Sequence, residues 1–380
     1  MNNPNFTPCK TVLYSIILTG ALLILVEIGA RLVLATSLAT GASAPNVENW
    51  FHPFTGWVHT PLTKIDVSKG SPEKKLIETD ADGNSITPFS ATSPRLQVVV
   101  TGGSTMFGVG SSSNATTVPS LLERKINQTL AVSAEVTNLA QRGYQSFQEM
   151  LRLREHLLTH HVDIVVVVSG RNDAYYSMAQ PEPIFATIPK RVWENAVPFV
   201  RDSEQGKTAM TPFILKNLGI GRLIVRLTKR DAESRKPKAY RALTEGSKPN
   251  DPSNIESRAN ATVQHYLMMK ALADSVGARF VLVLQPTAFT WSHYPGKVST
   301  LINSQKDLEG HRTYENRFYD VLRSKMTPLG VIDLTAALNG TDEPLYVDYT
   351  HYSDQGAEIL SEALLRVLEP AIQHGFAQKR

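Results

Sequence analysis

Val98-Val99-Val100-Thr101-Gly102-Gly103-Ser104-Thr105-Met106-Phe107-Gly108 decides how this chain is read. A β-branched run ends in paired glycines and a serine. A run that is apolar on both faces is the pattern of a parallel strand covered by helices on each side. Paired glycines let the backbone turn sharply where the strand stops. In open α/β sheets, ligands bind just beyond the carboxyl ends of the strands. Ser104, delivered there by a tight turn, stands where a nucleophile would. An ordinary Gly-Ser loop has the same composition, so the partners of Ser104 must decide.

The strand pattern recurs downstream. Residues 136–140 read as a short strand running into Gln141-Arg142-Gly143-Tyr144, and residues 163–168 as a second β-branched run ending in Ser169-Gly170-Arg171-Asn172-Asp173. Residues 279–284 and 330–334 read as further strands. Between them, apolar spacing predicts helices over 118–130, 145–158, 257–276, 307–326 and 357–368. Strands alternating with helices of this length predict a parallel, helix-covered sheet.

Near the C-terminus stands Tyr346-Val347-Asp348-Tyr349-Thr350-His351-Tyr352-Ser353-Asp354-Gln355-Gly356. A nucleophilic serine needs a base to take its proton, and that base needs a third group to fix its tautomer and offset its charge. Asp348 and His351, three residues apart in one turn before a helix, present both groups to one cleft. Taken singly, a helix-capping histidine and a loop aspartate read equally well. Gly143 permits an exposed backbone N–H at a strand end, and Asn172 carries an amide donor at another. With the N–H of Ser104 they would surround an oxyanion, the charge that develops in acyl transfer. Taken singly again, Gly143 reads as a helix-entry glycine and Asn172 as a turn-former.

Ser104, Gly143, Asn172 and His351, in this order and each at a strand end, resemble the ordered blocks of the SGNH (GDSL-like) hydrolase superfamily. Asp348 matches the third triad member. The likeness spans roughly residues 95–375, with a long unmatched insertion after Asn172. It implies a flavodoxin-like three-layer αβα sandwich with a mainly five-stranded parallel sheet. It also implies a Ser104–His351–Asp348 triad, an oxyanion hole of Ser104, Gly143 and Asn172, and no metal or cofactor. One position departs from the family. The usual Gly-Asp-Ser is Gly102-Gly103-Ser104, a form similar to a branch of membrane-anchored members.

The N-terminus supports that last likeness. Residues 11–35 are apolar apart from hydroxyls, Glu27 and Arg31, and long enough to cross a bilayer. The acid-first i,i+4 spacing of Glu27 and Arg31 suits an ion pair on one helix face. The expectation is an uncleaved single-pass anchor over residues 1–36 with the catalytic domain outside the cytoplasm. A cleaved signal peptide ending at Ala42-Ser43-Ala44 is the competing reading. Residues 37–94, rich in Thr, Ser, Pro and Gly, read as a linker and irregular cover over the sheet edge, followed by the hydrolase domain at 95–376. The cover holds an aromatic cluster at 49–57, read as packing onto the domain, and an Asp-Gly turn at 82–83. The insertion, 177–254, carries a basic run from Arg226 to Arg241 and reads either as a lid over the cleft or as a solvated loop.

With 380 residues, 42% hydrophobic and 19% charged, composition is that of one globular domain plus an appendage. A net charge of +4 without a recognisable nucleic-acid module argues against a nucleic-acid partner. The single cysteine, Cys9, can form no disulfide within the chain. The leading functional expectation is a serine esterase acting on an acyl ester, an O-acetyl group on a cell-envelope glycan or lipid. An acyltransferase using the same site is the alternative. A catalytically silent glycan-binding protein has the missing aspartate at Gly103 as its only support. Metal-assisted hydrolysis by Asp348, His351 and Asp173 lacks the usual ligand spacing.

Overall fold

The computed structural model describes residues 8–39, 49–52, 54–69, 71–91, 93–130, 132–179, 254–290, 308–339 and 343–377. The chain divides into two compact units: residues 1–47 with 191–242, and residues 48–190 with 243–380. Of the first unit, α1 (Pro8–Ala39) is described. Its 32 residues span about 48 Å at 1.5 Å per residue, more than the roughly 30 Å of a bilayer core. Within it, Val12–Gly29 forms a window long and apolar enough to cross a membrane, and none of that window is buried. Leu18, Leu23 and Leu25 are each more than 60% exposed, so the apolar surface faces outward around the helix.

The second unit is built on a five-stranded parallel sheet. In chain order its strands are β5 (Leu96–Gly102), β6 (Ala134–Asn138), β7 (Ile164–Ser169), β8 (Arg279–Leu284) and β9 (Ile332–Asp333). In space they run β6-β5-β7-β8-β9. β5 and β7 pair in register from Val98↔Ile164 to Gly102↔Val168. The helices are α2 (Ser104–Phe107), α3 (Val118–Thr129), α4 (Ser146–Leu157), α5 (Arg171–Ala179), α6 (Ile255–Ser275), α7 (Leu308–Met326) and α8 (Asp354–Ala377).

The alternation of side chains along a strand makes the layers. Val98, Val100, Val166 and Val168 face one side, where they pack with Leu122 and Ile126 of α3 and Leu360 and Leu364 of α8. Val99, Val165 and Val167 face the other, against Leu153 of α4, Val263 and Met269 of α6, and Phe318 and Leu322 of α7. β7 is buried along its whole length. Each such valine contributes on the order of 1.5–3 kcal/mol by leaving water. The β-branched runs therefore specify both faces of the sheet at once, which is the three-layer αβα sandwich expected.

Three elements differ from the expected ones. The N-terminal cover is not wholly irregular. β1 (Asn49–His52) pairs antiparallel with β2 (Gly56–His59), and β3 (Lys64–Asp66) with β4 (Leu76–Glu78). The buried pair Ile65↔Ile77 holds the second hairpin to the core. The Asn172 stretch opens a nine-residue helix, α5, where only a strand end was expected. β9 is two residues, shorter than the apolar run suggested. The cover lies along edge strand β6: Ser85 bridges Asn138, and Thr87 Oγ1 donates to Val136 O at 2.6 Å. Asp80 to Asn84 forms the expected turn, with Gly83 N–H donating to Asp80 O. The insertion's residues 180–253, with the basic run, and the candidate cleavage site lie outside the described residues.

Candidate active site

β5 ends at Gly102, and Ser104 opens the single-turn helix α2 immediately beyond it. Gly103, between them, has an ordinary backbone conformation, and its constraint is space. A Cβ there would stand 2.5 Å from Asn172 Nδ2. Any side chain at this position would have to displace the Asn172 amide.

Ser104, His351 and Asp348 form one hydrogen-bonded chain. Ser104 Oγ lies 2.8 Å from His351 Nε2, and His351 Nδ1 lies 2.7 Å from Asp348 Oδ2. Asp348 Oδ1 accepts the backbone N–H groups of Thr350 and His351, each at 2.8 Å, so a tight turn aims both side chains the same way. Val347 N–H donates to His351 O, and Tyr346 bridges Tyr352, closing the loop on itself. The following helix, α8, anchors it, and Tyr352 OH donates to Pro286 O at 2.8 Å.

Electrostatics assign the protons. Burial alone would raise the Asp348 pKa, but hydrogen bonds and charge from His351, with the Thr350 backbone, outweigh it and hold the carboxyl well below its usual range. Burial lowers His351, partly opposed by Asp348 and reinforced by Lys69 and Arg171. At neutral pH the aspartate is therefore ionised and the imidazole neutral. An ionised carboxylate only accepts, so Nδ1 carries the ring proton and Nε2 presents its lone pair to the Ser104 hydroxyl. This is the tautomer a serine-activating base requires.

The oxyanion candidates sit on the loop after β6, which carries Gly143, and in the first turn of α5 after β7, which carries Asn172. Gln141 N–H donates to Gly102 O, which seats the 141–145 loop directly against the end of β5. Gly143 has φ +80°, a conformation that side chains rarely adopt, and a Cβ there would meet Tyr176 OH at 3.3 Å. Asn172 Nδ2 donates to Tyr144 O at 2.7 Å, which uses one amide hydrogen and leaves a second. Trp57 packs its ring edge-on to Tyr144, accepts the Tyr144 hydroxyl at its carbonyl, and donates Nε1–H to Arg142 O at 3.2 Å. The aromatic cluster thus packs onto the domain, against the loop that carries Gly143.

Asp173 does not join Asp348 and His351. Its buried carboxylate accepts Ser146 Oγ at 2.6 Å, Ser146 N–H and Thr262 Oγ1. Burial pushes Asp173 up to about 6, against those bonds. Ser146 Oγ also lies 2.8 Å from His265 Nδ1. Here the serine, rather than the histidine, bonds the carboxylate, so this second Ser-His-Asp grouping is wired differently from the Ser104 chain and ties α4, α5 and α6 together.

Sequence reasoning missed two neighbours of the candidate triad. Lys69 Nζ lies 3.6 Å from Asp348 Oδ2. Arg171 is buried with Glu315, Nε to Oε2 at 3.0 Å. The charge of Arg171 directly after an apolar strand was a hint, but its partner lies on a distant helix that no local pattern connects to it.

No profile of a known protein family matches the sequence, and no curated protein matches it. Among solved structures, the chain is similar to a member of the lipolytic protein G-D-S-L family from Veillonella parvula. That match has TM-score 0.39 and 10% identity, covering 72% of this chain and 98% of that one. A GDSL-like lipase from Bacteroides thetaiotaomicron aligns at TM-score 0.37 and 13% identity, over 72% of this chain and 88% of that one. An acetyl xylan esterase aligns at TM-score 0.38 and 12% identity, over 72% of this chain and all of that one. The chain is thus similar, at low identity, to lipolytic hydrolases of the G-D-S-L type.

Proposed function

We propose that this protein is a serine ester hydrolase of the SGNH type, held at a membrane by α1 with its catalytic domain outside the cytoplasm. The single observation that carries the reading is the hydrogen-bonded chain Ser104–His351–Asp348, with the tautomer that leaves Nε2 free to accept a proton. Ser104 Oγ attacks the ester carbonyl while His351 Nε2 takes its proton. The oxyanion is met by the N–H groups of Ser104 and Gly143 and by the second hydrogen of the Asn172 amide. His351 then protonates the departing alcohol, leaving an acyl-serine. Water, deprotonated by the same imidazole, releases the acid and restores Ser104. Asp348 stays ionised throughout and stabilises the imidazolium. The substrate proposed is a small acyl ester, an O-acetyl group on a cell-envelope glycan or lipid.

The test is fluorophosphonate labelling of the full chain in detergent, beside Ser104→Ala and His351→Ala. Labelling of the wild type that disappears in both variants is the expected result. A folded wild-type protein that resists labelling refutes the reading in favour of a silent binding protein.

A further inference from the structure

The loop between the acid and the base of the candidate triad is gripped from behind by one cation. Arg171 Nε–H donates to Thr350 Oγ1 at 3.2 Å, and the same nitrogen lies 3.0 Å from Glu315 Oε2. Its guanidinium carbon stands 5.4 Å from the Tyr349 ring centroid and 4.8 Å from that of Tyr175. Arg171 therefore touches both residues that separate Asp348 from His351. Glu315, on α7, is fixed in turn by Thr287 Oγ1, which donates to its Oε1 at 2.7 Å. The Arg171 and Glu315 side chains are only 5% and 3% exposed.

Stability gives little reason to bury such a pair. Well-packed apolar residues of equal volume commonly serve as well or better. A planar, permanently charged fork with fixed donor directions does serve to set one loop at one position. The location also fits that duty, because Arg171 opens α5 and Asn172 follows it. One helix turn thus fastens the base-bearing loop through Arg171 and the Tyr144 carbonyl through Asn172.

We infer that Arg171 is a positioning residue, which holds His351 in register with Ser104 by way of Thr350 and Tyr349. The inference rests on the esterase reading for its catalytic consequence, and on geometry alone for its effect on His351.

The test compares Thr350→Val with Thr350→Ser in the full chain in detergent, since neither disturbs the ion pair. Turnover of p-nitrophenyl acetate and the far-downfield proton NMR resonance of His351 Nδ1–H are the readouts. For Thr350→Val we expect kcat to fall about 10- to 100-fold with KM held within about 3-fold, the size of effect a small misplacement produces. The Nδ1–H resonance should broaden or vanish while unfolding stays cooperative. Thr350→Ser, which keeps the hydroxyl, should restore both. Arg171→Met with Glu315→Leu, which leaves no unpaired buried charge, should repeat the Thr350→Val result. Wild-type turnover and an unchanged resonance in Thr350→Val would overturn the inference. If the wild type neither labels nor turns over, the esterase reading falls, and the resonance still decides whether Arg171 positions His351.

Discussion

Gly103→Ala is a substitution whose cost should fall on turnover rather than on folding. The added Cβ would stand 2.5 Å from Asn172 Nδ2, where ordinary contact begins at 3.4 Å. The amide must retreat by about 0.9 Å. It now donates to Tyr144 O at 2.7 Å, and because the added Cβ would stand 3.6 Å from that oxygen, the push runs across this bond, swinging the amide sideways and bending the bond rather than breaking it. Even complete loss of such a bond costs only about 0.5–1.5 kcal/mol of stability, a few degrees in Tm, so a bent one costs less. Losing one oxyanion donor costs about 10²–10³ in kcat, roughly 3–4 kcal/mol. The assay is p-nitrophenyl acetate hydrolysis beside thermal unfolding, run for Gly103→Ala, Asn172→Ala and the double variant. Because the clash needs the asparagine, the double variant should be no worse than Asn172→Ala alone. Gly103→Ala with wild-type kcat, or losses that multiply in the double variant, would refute the argument that Gly103 exists to seat this amide.

Asn172→Ala should lower kcat by about 10²–10³ without abolishing it, measured by initial rates. Ser104→Ala and His351→Ala should each be more severe, and their combination no worse than either, since the two act as one unit. The base works neutral, so kcat/KM should rise with pH through the His351 pKa. Burial first, then Lys69 and Arg171, place that midpoint below 6.5 despite Asp348. Activity should therefore persist as pH falls from 7, and a pH–rate profile with its acid limb above 6.5 would contradict the charges placed around the ring. The chain with α1 should float with liposomes in a density gradient, and a version beginning at Pro45 should stay in the soluble fraction.

How far the sequence could be read follows from the physics of each element. β5, β7 and β8 were legible because a strand covered on both faces must be continuously apolar. Their helices were legible because three or more turns repeat the spacing often enough to be seen. The cover's hairpins have strands of three or four residues, too few for alternation to register, and Ile65↔Ile77 is a pairing rather than a pattern. α5 was missed because its first turn, Arg171-Asn172-Asp173, is built of residues that favour turns in isolation. At the candidate site, Ser104, Gly143, Asn172, Asp348 and His351 could be proposed from sequence because each follows or flanks a local signal, and the structure brings Ser104, His351 and Asp348 into one hydrogen-bonded chain. The grip of Arg171 on Thr350 and Glu315, and the reach of Lys69 to Asp348, join segments far apart in the chain. Such pairs exist only once the sheet has brought strand ends together.

The strip that runs beside β6 has a consequence for solubility. An uncovered edge strand offers its unpaired N–H and C=O groups to any other chain that can extend beside it, which is how sheets begin to aggregate. Here Ser85 takes up Asn138, Thr87 caps the Val136 carbonyl, and Ala91 N–H donates to Ala134 O. The opposite edge, β9, is two residues long and offers almost no template. Protection against intermolecular strand pairing therefore resides in the N-terminal cover, and a chain trimmed back to residue 95 would expose β6 as a sticky margin along with the core face that Ile65 and Ile77 cover.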